Sequence, residues 1–285
     1  MNSKVFLITG SSTGIGEASA ISLAKKGHKV FAGVRKKDDG GLLVSKAGDN
    51  IIPVILDVTS AESIEAAHQF ISNKITDLKR QGLDGLVNNA GIVISGPLEF
   101  LRIEALRLQF EVNVTGVLAV TQKFLPLIRV ATGRIVNMGS LSGLLAVPFV
   151  GPYSASKFAL RGLTDSLRIE LSPWKIRVSL IEPGPIATPI WEKSKKTATD
   201  LFKDLSSDFD KYYKEILDRF KIVLEREAGN AVSVEVVVKA VEHALEASSP
   251  RLYYPVGRGA RVQSALSHLI PQVFMDKVIS KGAGF

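Results

Sequence analysis

The chain of 285 residues is 46% apolar and 22% charged, with 24 Gly, 12 Pro and no Cys. This is a globular composition that excludes disulfide frameworks and thiolate metal sites. Its 36 Lys and Arg against 28 Asp and Glu leave a net charge of +8, scattered rather than gathered into a nucleic-acid-binding arm; an anionic small ligand would explain part of it, and weak attraction to nucleic acid or acidic lipid is the alternative.

No run of about 18 uncharged apolar residues offers a membrane span. The opening apolar run, Val5–Ile8, is too short for the core of a signal peptide. A cytoplasmic chain is the default expectation. In chain order, Val5–Thr9 reads as a strand and Gly14–Lys26 as a helix, with Ile15, Ala18 and Ile21 recurring at threes. Lys29–Val34 and Ile51–Asp57 are further strands, Ser60–Arg80 is helical, and Gly85–Asn88 is a fourth strand. A long helix is expected over Arg102–Arg129, a fifth strand over Gly133–Gly139, a helix over Tyr153–Leu171 and a sixth strand over Arg177–Glu182. Val234, Val237, Val238, Val241, Ala244 and Leu245 make a helical stripe, and Leu252–Pro255 is a short seventh strand.

Strands alternating with helices predict an α/β fold. The chain reads as a single doubly wound Rossmann-type domain over 1–285, with a seven-stranded parallel sheet covered on both faces. Two segments break the alternation. Residues 185–230 are long, polar and helix-prone and follow a strand end, which reads as an extended substrate lid. Residues 259–285 form a tail with apolar Leu266, Leu269, Ile270, Val273 and Phe274. The tail could cover the pocket, pack on a partner subunit or touch a membrane, and packing is the expectation.

Ligands of such sheets bind at the carboxyl ends of the strands. Thr9-Gly10-Ser11-Ser12-Thr13-Gly14-Ile15-Gly16 fills the first strand-to-helix turn. Gly10 permits the tight turn, and Gly14 and Gly16 let backbone and helix approach a pyrophosphate held by helix N–H groups. The spacing is G-x-x-x-G-x-G, with no Lys-Ser/Thr after it to make a P-loop. A plain tight turn is the competing reading.

At the end of the second strand, Val34 stands where a carboxylate would bond a ribose 2′-hydroxyl. Arg35 can pair instead with a 2′-phosphate, with Lys36 nearby. Asp57-Val58 and Asn88-Asn89-Ala90-Gly91 close the third and fourth strands and would line an adenine–ribose site. Tyr153 and Lys157, at i and i+4, share one helix face. A neighbouring ammonium and a cationic nicotinamide would favour the phenolate, so Tyr153 could exchange a proton with an alcohol or carbonyl oxygen. Ser140, ending the fifth strand, could donate to the same oxygen. Asn113 lies inside the long helix, an unfavourable place for Asn. His28, His68, His243 and His268 are dispersed without metal spacing, and no metal is expected.

Together these residues resemble the short-chain dehydrogenase/reductase family, from Lys4 to about Pro189 and again around the seventh strand. The pattern T-G-x-x-x-G-I-G appears at Thr9–Gly16, N-N-A-G at Asn88–Gly91, the helix Asn at Asn113, the active-site serine at Ser140 and Y-x-x-x-K at Tyr153 and Lys157. Pro183-Gly184-Pro185-Ile186-Ala187-Thr188 looks like the segment that holds the nicotinamide carboxamide. The resemblance implies the strand order 3-2-1-4-5-6-7 and hydride transfer with NAD(P). It also implies a homodimer or homotetramer formed through the helices at 102–129 and 153–171.

In the roles carried over, Tyr153 moves the proton, Lys157 lowers its pKa and holds the nicotinamide ribose, Ser140 polarises the substrate oxygen, and Asn113 positions a water for proton relay. The cofactor set is Gly10, Ser12, Thr13, Gly14, Ile15, Gly16, Arg35, Asp57, Val58, Asn89, Ala90, Gly91, Tyr153, Lys157, Pro183, Gly184, Ile186 and Thr188. The stretch Ile135–Pro148 looks like members acting on steroids and retinoids, the estradiol 17-beta-dehydrogenase and retinol dehydrogenase-like subgroup. A hydrophobic small-molecule substrate and NADP(H) in preference to NAD(H) follow as expectations. The cofactor choice rests mainly on Arg35, because Thr13 stands where many NADP-using members carry a basic residue. A ketoacyl-thioester reductase and a non-catalytic dinucleotide-binding sensor or scaffold are the alternatives.

Overall fold

In the computed structural model, which describes residues 3–190 and 207–283, the apolar runs pair into one sheet. Strands β1 (Val5–Ile8), β2 (Lys29–Val34), β3 (Ile51–Ile55), β4 (Gly85–Asn88), β5 (Arg134–Met138), β6 (Arg177–Pro183) and β7 (Tyr253–Val256) lie in the order β3-β2-β1-β4-β5-β6-β7. Every neighbouring pair is parallel. The order reverses between β1 and β4, the switch point where such sheets leave a crevice beyond their carboxyl ends. Ile8 pairs with Val87 and Val87 with Val136, so the three central strands end close together.

Strand β1 shows how the layers form. Its side chains alternate between faces, and all four residues are buried. Phe6 and Ile8 join Leu23 of α1 (Gly14–Lys25) in one apolar layer, which also takes Val237, Val241, Ala244 and Leu245 of the expected stripe, here on α8 (Glu235–Glu246). Val5 and Leu7 face the opposite layer, with Ile71 of α3 (Ala61–Asp77) and Phe124 and Ile128 of α5 (Gly116–Val130). Each such side chain contributes roughly 1.5–3 kcal/mol by leaving water.

Several boundaries differ from the expected ones for local reasons. Ser60 is the N-cap of α3 and not its first residue, its hydroxyl accepting from the Ser63 amide at 3.1 Å. Helix α2 (Lys37–Ala47) was hidden by Gly40-Gly41; Gly40 is needed there because a Cβ would lie 2.6 Å from Cβ of Pro53. The long helix is split into α4 (Ile103–Phe110) and α5 by a π-turn over Glu111–Thr115. Helix α6 (Gly151–Glu170) begins two residues before Tyr153.

Of the segment read as a lid, Trp191, Leu201 and Phe202 lie outside the described residues. Its described part includes residues 185–190 and α7 (Ser207–Gly229). The tail folds into α9 (Ala260–Leu269) and α10 (Gln272–Ala283). Ala260 and Met275 are buried, whereas Leu266, Leu269, Val273 and Phe274 are exposed.

Candidate active site

Six strand ends supply the crevice. Beyond β1, Gly10 and Gly14 both have φ of +65°, a conformation that favours glycine. A Cβ on Gly10 would lie 2.8 Å from Cα of Ala90, and one on Gly16 would lie 2.4 Å from both the Gly10 carbonyl and Nδ2 of Asn89. The turn is therefore packed to backbone contact against the loop after β4. Thr9 and Asn89 hold it there. The Thr9 hydroxyl accepts from the amides of Asn89 and Ala90, each at 3.0 Å, and the Asn89 side chain donates to the carbonyls of Thr9 and Gly10.

Ser12 is half-buried and Thr13 exposed at the turn's outer side. Thr13 is the N-cap of α1, yet its side chain makes no capping bond to the first-turn amides. Those amides are suited to an anion. Ile15 packs its side chain on the first apolar layer, so only its backbone faces the turn.

On the other side of the switch point, Arg35 is exposed directly after the buried end of β2. Asp57, after β3, has its carboxyl held below the usual range, chiefly by its bonds from Thr59 and in part by the charge of Arg35. Arg35 and Asp57 thus lie near enough to interact beyond the ends of β2 and β3, and Val58 is buried.

After β6, Pro183 is buried and Gly184 donates to the Val256 carbonyl at 2.8 Å. The chain then bends back over the first turn, so that a Cβ on Gly14 would lie 3.4 Å from the Thr188 side chain. Ile186 goes the other way. Its side chain is buried in the first apolar layer and its backbone bridges to Val232.

The end of β5 and the start of α6 bring three side chains together. Ser140 is buried and its hydroxyl accepts from the Ser142 amide at 3.1 Å. It also hydrogen-bonds the Tyr153 phenol; burial raises the phenol's pKa above its ordinary value of 10.0, and the Ser140 bond works against that rise. Lys157 is buried and donates to the Met138 carbonyl at 2.7 Å, with Nζ 5.5 Å from the Tyr153 ring centre. Burial lowers its pKa to about 8. Lys157 is therefore poised to lose its charge in mild base, whereas Tyr153 holds its proton. One turn later, Arg161 ion-pairs with buried Glu182 of β6 and covers the Tyr253 ring at 4.3 Å, locking α6 to the sheet.

Asn113 sits in the π-turn, wholly buried. Its Oδ1 accepts from the Ile92 amide at 2.9 Å, and its Nδ2 donates to the Ile92 carbonyl and to the Ser156 hydroxyl. The side chain is thereby committed to holding the loop after β4 against α6. Gly91, in that loop, would carry a Cβ 3.4 Å from Asn113 Oδ1 and 3.9 Å from Lys157 Nζ.

The roles of Thr9 and Ser156 were not foreseen. Neither were those of a buried string behind the site, in which Asn88 donates to Thr121 and Asn137, and Asn137 donates to Thr164. Asn within strands β4 and β5 was the one available signal, since an interior strand Asn must find partners.

Above this floor, an aromatic cluster joins α7 to the segment between Ser140 and Tyr153. Phe149 lies 5.0 Å from Phe220, and Phe100 lies 5.5 Å from both Phe209 and Tyr213, centre to centre.

The short chain dehydrogenase family matches residues 4–199. Dehydrogenase/reductase SDR family member 9 of Bos taurus is 35% identical over 98% of this chain and 88% of its own length. The 17-beta-hydroxysteroid dehydrogenase type 6 of Bos taurus is 33% identical over 99% of this chain and 89% of its own length. A short chain dehydrogenase from Burkholderia cenocepacia, solved in complex with NADP, superposes with a TM-score of 0.72 at 26% identity and covers 98% of each chain.

Proposed function

Since the chain belongs to the short-chain dehydrogenase family, whose members are NAD(P)-dependent oxidoreductases acting on CH–OH groups, we propose that it interconverts a carbonyl and an alcohol on a hydrophobic, steroid-, retinoid- or lipid-like substrate, with NADP(H) preferred. The observation that carries this reading is the meeting of Ser140, Tyr153 and Lys157 at the crevice mouth. A dinucleotide sensor or scaffold has no need of a proton donor there.

The residues present fit the dinucleotide. Gly10 and Gly16 keep a turn that any Cβ would fill, and the first amides of α1 lack a side-chain cap. The turn from Gly10 to Gly16 would hold the pyrophosphate, Arg35 the 2′-phosphate, Asp57, Val58 and Asn89–Gly91 the adenosine side, and the segment from Pro183 to Thr188 the nicotinamide. When bound, the nicotinamide supplies or accepts the hydride. In reduction Tyr153 gives its phenolic proton to the substrate oxygen, which Ser140 steadies with a hydrogen bond. Lys157, a buried cation anchored on Met138, favours the phenolate that remains. Asn113 acts by holding the loop and α6 in place, with any relay water served by the backbone of the π-turn.

The chain is read as one domain. In this reading 185–230 serves as the lid, of which α7 is a described part; the aromatic cluster of Phe100, Phe149, Phe209, Tyr213 and Phe220, and a relative named for hydroxysteroids, support a hydrophobic substrate. A cytoplasmic location belongs to the same reading, since a chain without Cys suits a reducing compartment.

The test is NADPH oxidation against ketosteroids, retinal, simple ketones and ketoacyl thioesters across pH 6 to 10. Turnover on hydrophobic carbonyls is expected, with kcat/KM falling as pH rises through about 8, where Lys157 loses its charge while Tyr153 stays protonated. Activity confined to acyl-carrier thioesters, or none with any carbonyl, would replace this reading.

Self-association belongs to the same proposal. On α6, Phe158 and Ile169 are exposed on either side of Gly162, whose Cβ position is open. A helix face so smooth and apolar suits a second copy across the same face. Ile169→Glu is expected to halve the sedimenting mass at micromolar concentration; an unchanged mass places the contact elsewhere.

A further inference from the structure

The tail helices are built inside out. On α9, Val262, Ala265, Leu266 and Leu269 follow the i, i+3, i+4, i+7 spacing of a packed stripe, yet Val262 is 62% and Leu269 78% exposed, while the half-buried side carries Ser264 and Ser267. On α10, Phe274 and Val278 stand one turn apart and exposed, with Met275 turned inward. Apolar faces of this kind mark a contact surface.

Charge identifies what they contact. Over 258–283 the cations Arg258, Arg261, Lys277 and Lys281 face a single carboxylate, Asp276. Where α9 begins, a half-open pocket of about 580 Å³ lies between α8, β7 and α9. Lys239, Arg251 and Arg261 line it, no carboxylate of the described residues does, and Val262 of the apolar stripe forms part of its wall. Among the described residues none of these three cations has an ion-pair partner.

An apolar helix face edged by cations and opening on a cationic pocket matches the requirements of interfacial docking on an anionic bilayer. We infer that α9 and α10 dock the chain on an anionic lipid surface, with Leu266, Leu269, Phe274 and Val278 among the acyl chains and a lipid phosphate in the pocket of Lys239, Arg251 and Arg261. A second copy would leave that pocket without counter-charge, and α6 already offers a face for self-association. Helix α9 also packs against the turn at Leu141–Gly143, next to Ser140. Docking thus sets the candidate active site beside the bilayer, where a lipid-soluble substrate resides. The docking itself does not depend on the substrate reading, because it is measured without turnover.

The experiment is flotation of the full chain with vesicles of phosphatidylcholine alone and with one third phosphatidylserine. Binding is expected only with phosphatidylserine and should weaken with salt. Arg261→Ala and Lys239→Ala should each lower affinity about five-fold, and Leu269→Asp with Phe274→Asp should abolish it. All variants should keep wild-type NADPH oxidation on a water-soluble ketone. Failure to bind either vesicle, or binding that ignores these substitutions, overturns the inference. So does a Leu269→Asp chain that sediments at a smaller mass than wild type, which would assign the face to a second copy.

Discussion

Replacing Tyr153 with Phe is expected to lower kcat for carbonyl reduction by about 10²- to 10⁴-fold, the usual worth of a positioned proton donor. NADPH affinity should stay within about three-fold, since a shift below about 0.7 kcal/mol is all that the loss of one hydroxyl remote from the phosphates warrants. The substitution keeps the ring on α6 and removes only the Oη that bonds Ser140. Lys157 keeps its own anchor at the Met138 carbonyl, so the helix face is not rearranged. Steady-state turnover together with NADPH fluorescence on binding separates the two effects. Near-normal turnover in the variant would remove Tyr153 from the chemistry.

The second expected result concerns cofactor choice. Wild type should prefer NADPH over NADH by about 10- to 150-fold, the equivalent of one charged hydrogen bond of roughly 1.5–3 kcal/mol. Arg35→Ala should erase most of that ratio and leave NADH almost untouched. Val34 is buried and apolar, so nothing at the end of β2 accepts a ribose hydroxyl. Asp57 feels the charge of Arg35, while its Oδ1 accepts from the amide and the hydroxyl of Thr59. Because Arg35 is exposed, raising salt should weaken NADPH more than NADH. Competition binding of the two dinucleotides at low and high salt reads both effects. A ratio unchanged by Arg35→Ala assigns phosphate recognition to another group.

Much of this architecture is legible along the chain because β1 to β7 are short, almost wholly apolar runs separated by amphipathic helices, so period and length agree. Many crevice residues are legible for a different reason: they directly follow a strand, where a parallel sheet presents its carboxyl ends, whereas Tyr153 and Lys157 are legible from their i, i+4 spacing on one helix face. What stays hidden is what depends on contact between distant segments. Gly16 reads as a cofactor glycine, yet its closest neighbours are Gly10 and Asn89, and its missing Cβ serves loop packing first. Ile186 falls inside a cofactor motif, yet its side chain belongs to the core. Helix α2 is invisible because a Gly-Gly pair masks its propensity, and only Pro53 on β3 explains Gly40. No local signal reports that Asn88, Asn137, Thr121 and Thr164 satisfy one another; only the sheet order brings them together. The apolar residues of the tail read as a packing face, and only their surroundings show that Leu266 and Leu269 of α9 face outward.

The π-turn at Glu111–Thr115 has an arithmetic consequence. A π-turn holds one residue more than the α-helix around it, and each α-helical residue turns the axis by about 100°. Wound as one unbroken α-helix, the same residues would spend the extra one on rotation, and everything downstream would swing by that angle. Phe124 and Ile128 would then leave the layer they fill beneath β1 and β4, and Gly116 would lose its fit against the Val58 carbonyl, where a Cβ would lie at 2.6 Å. The wide turn thus absorbs the extra residue and keeps the phase of α5. It lets one continuous rod serve two masters, its first half oriented by the loop at Ile92 and its second by the sheet.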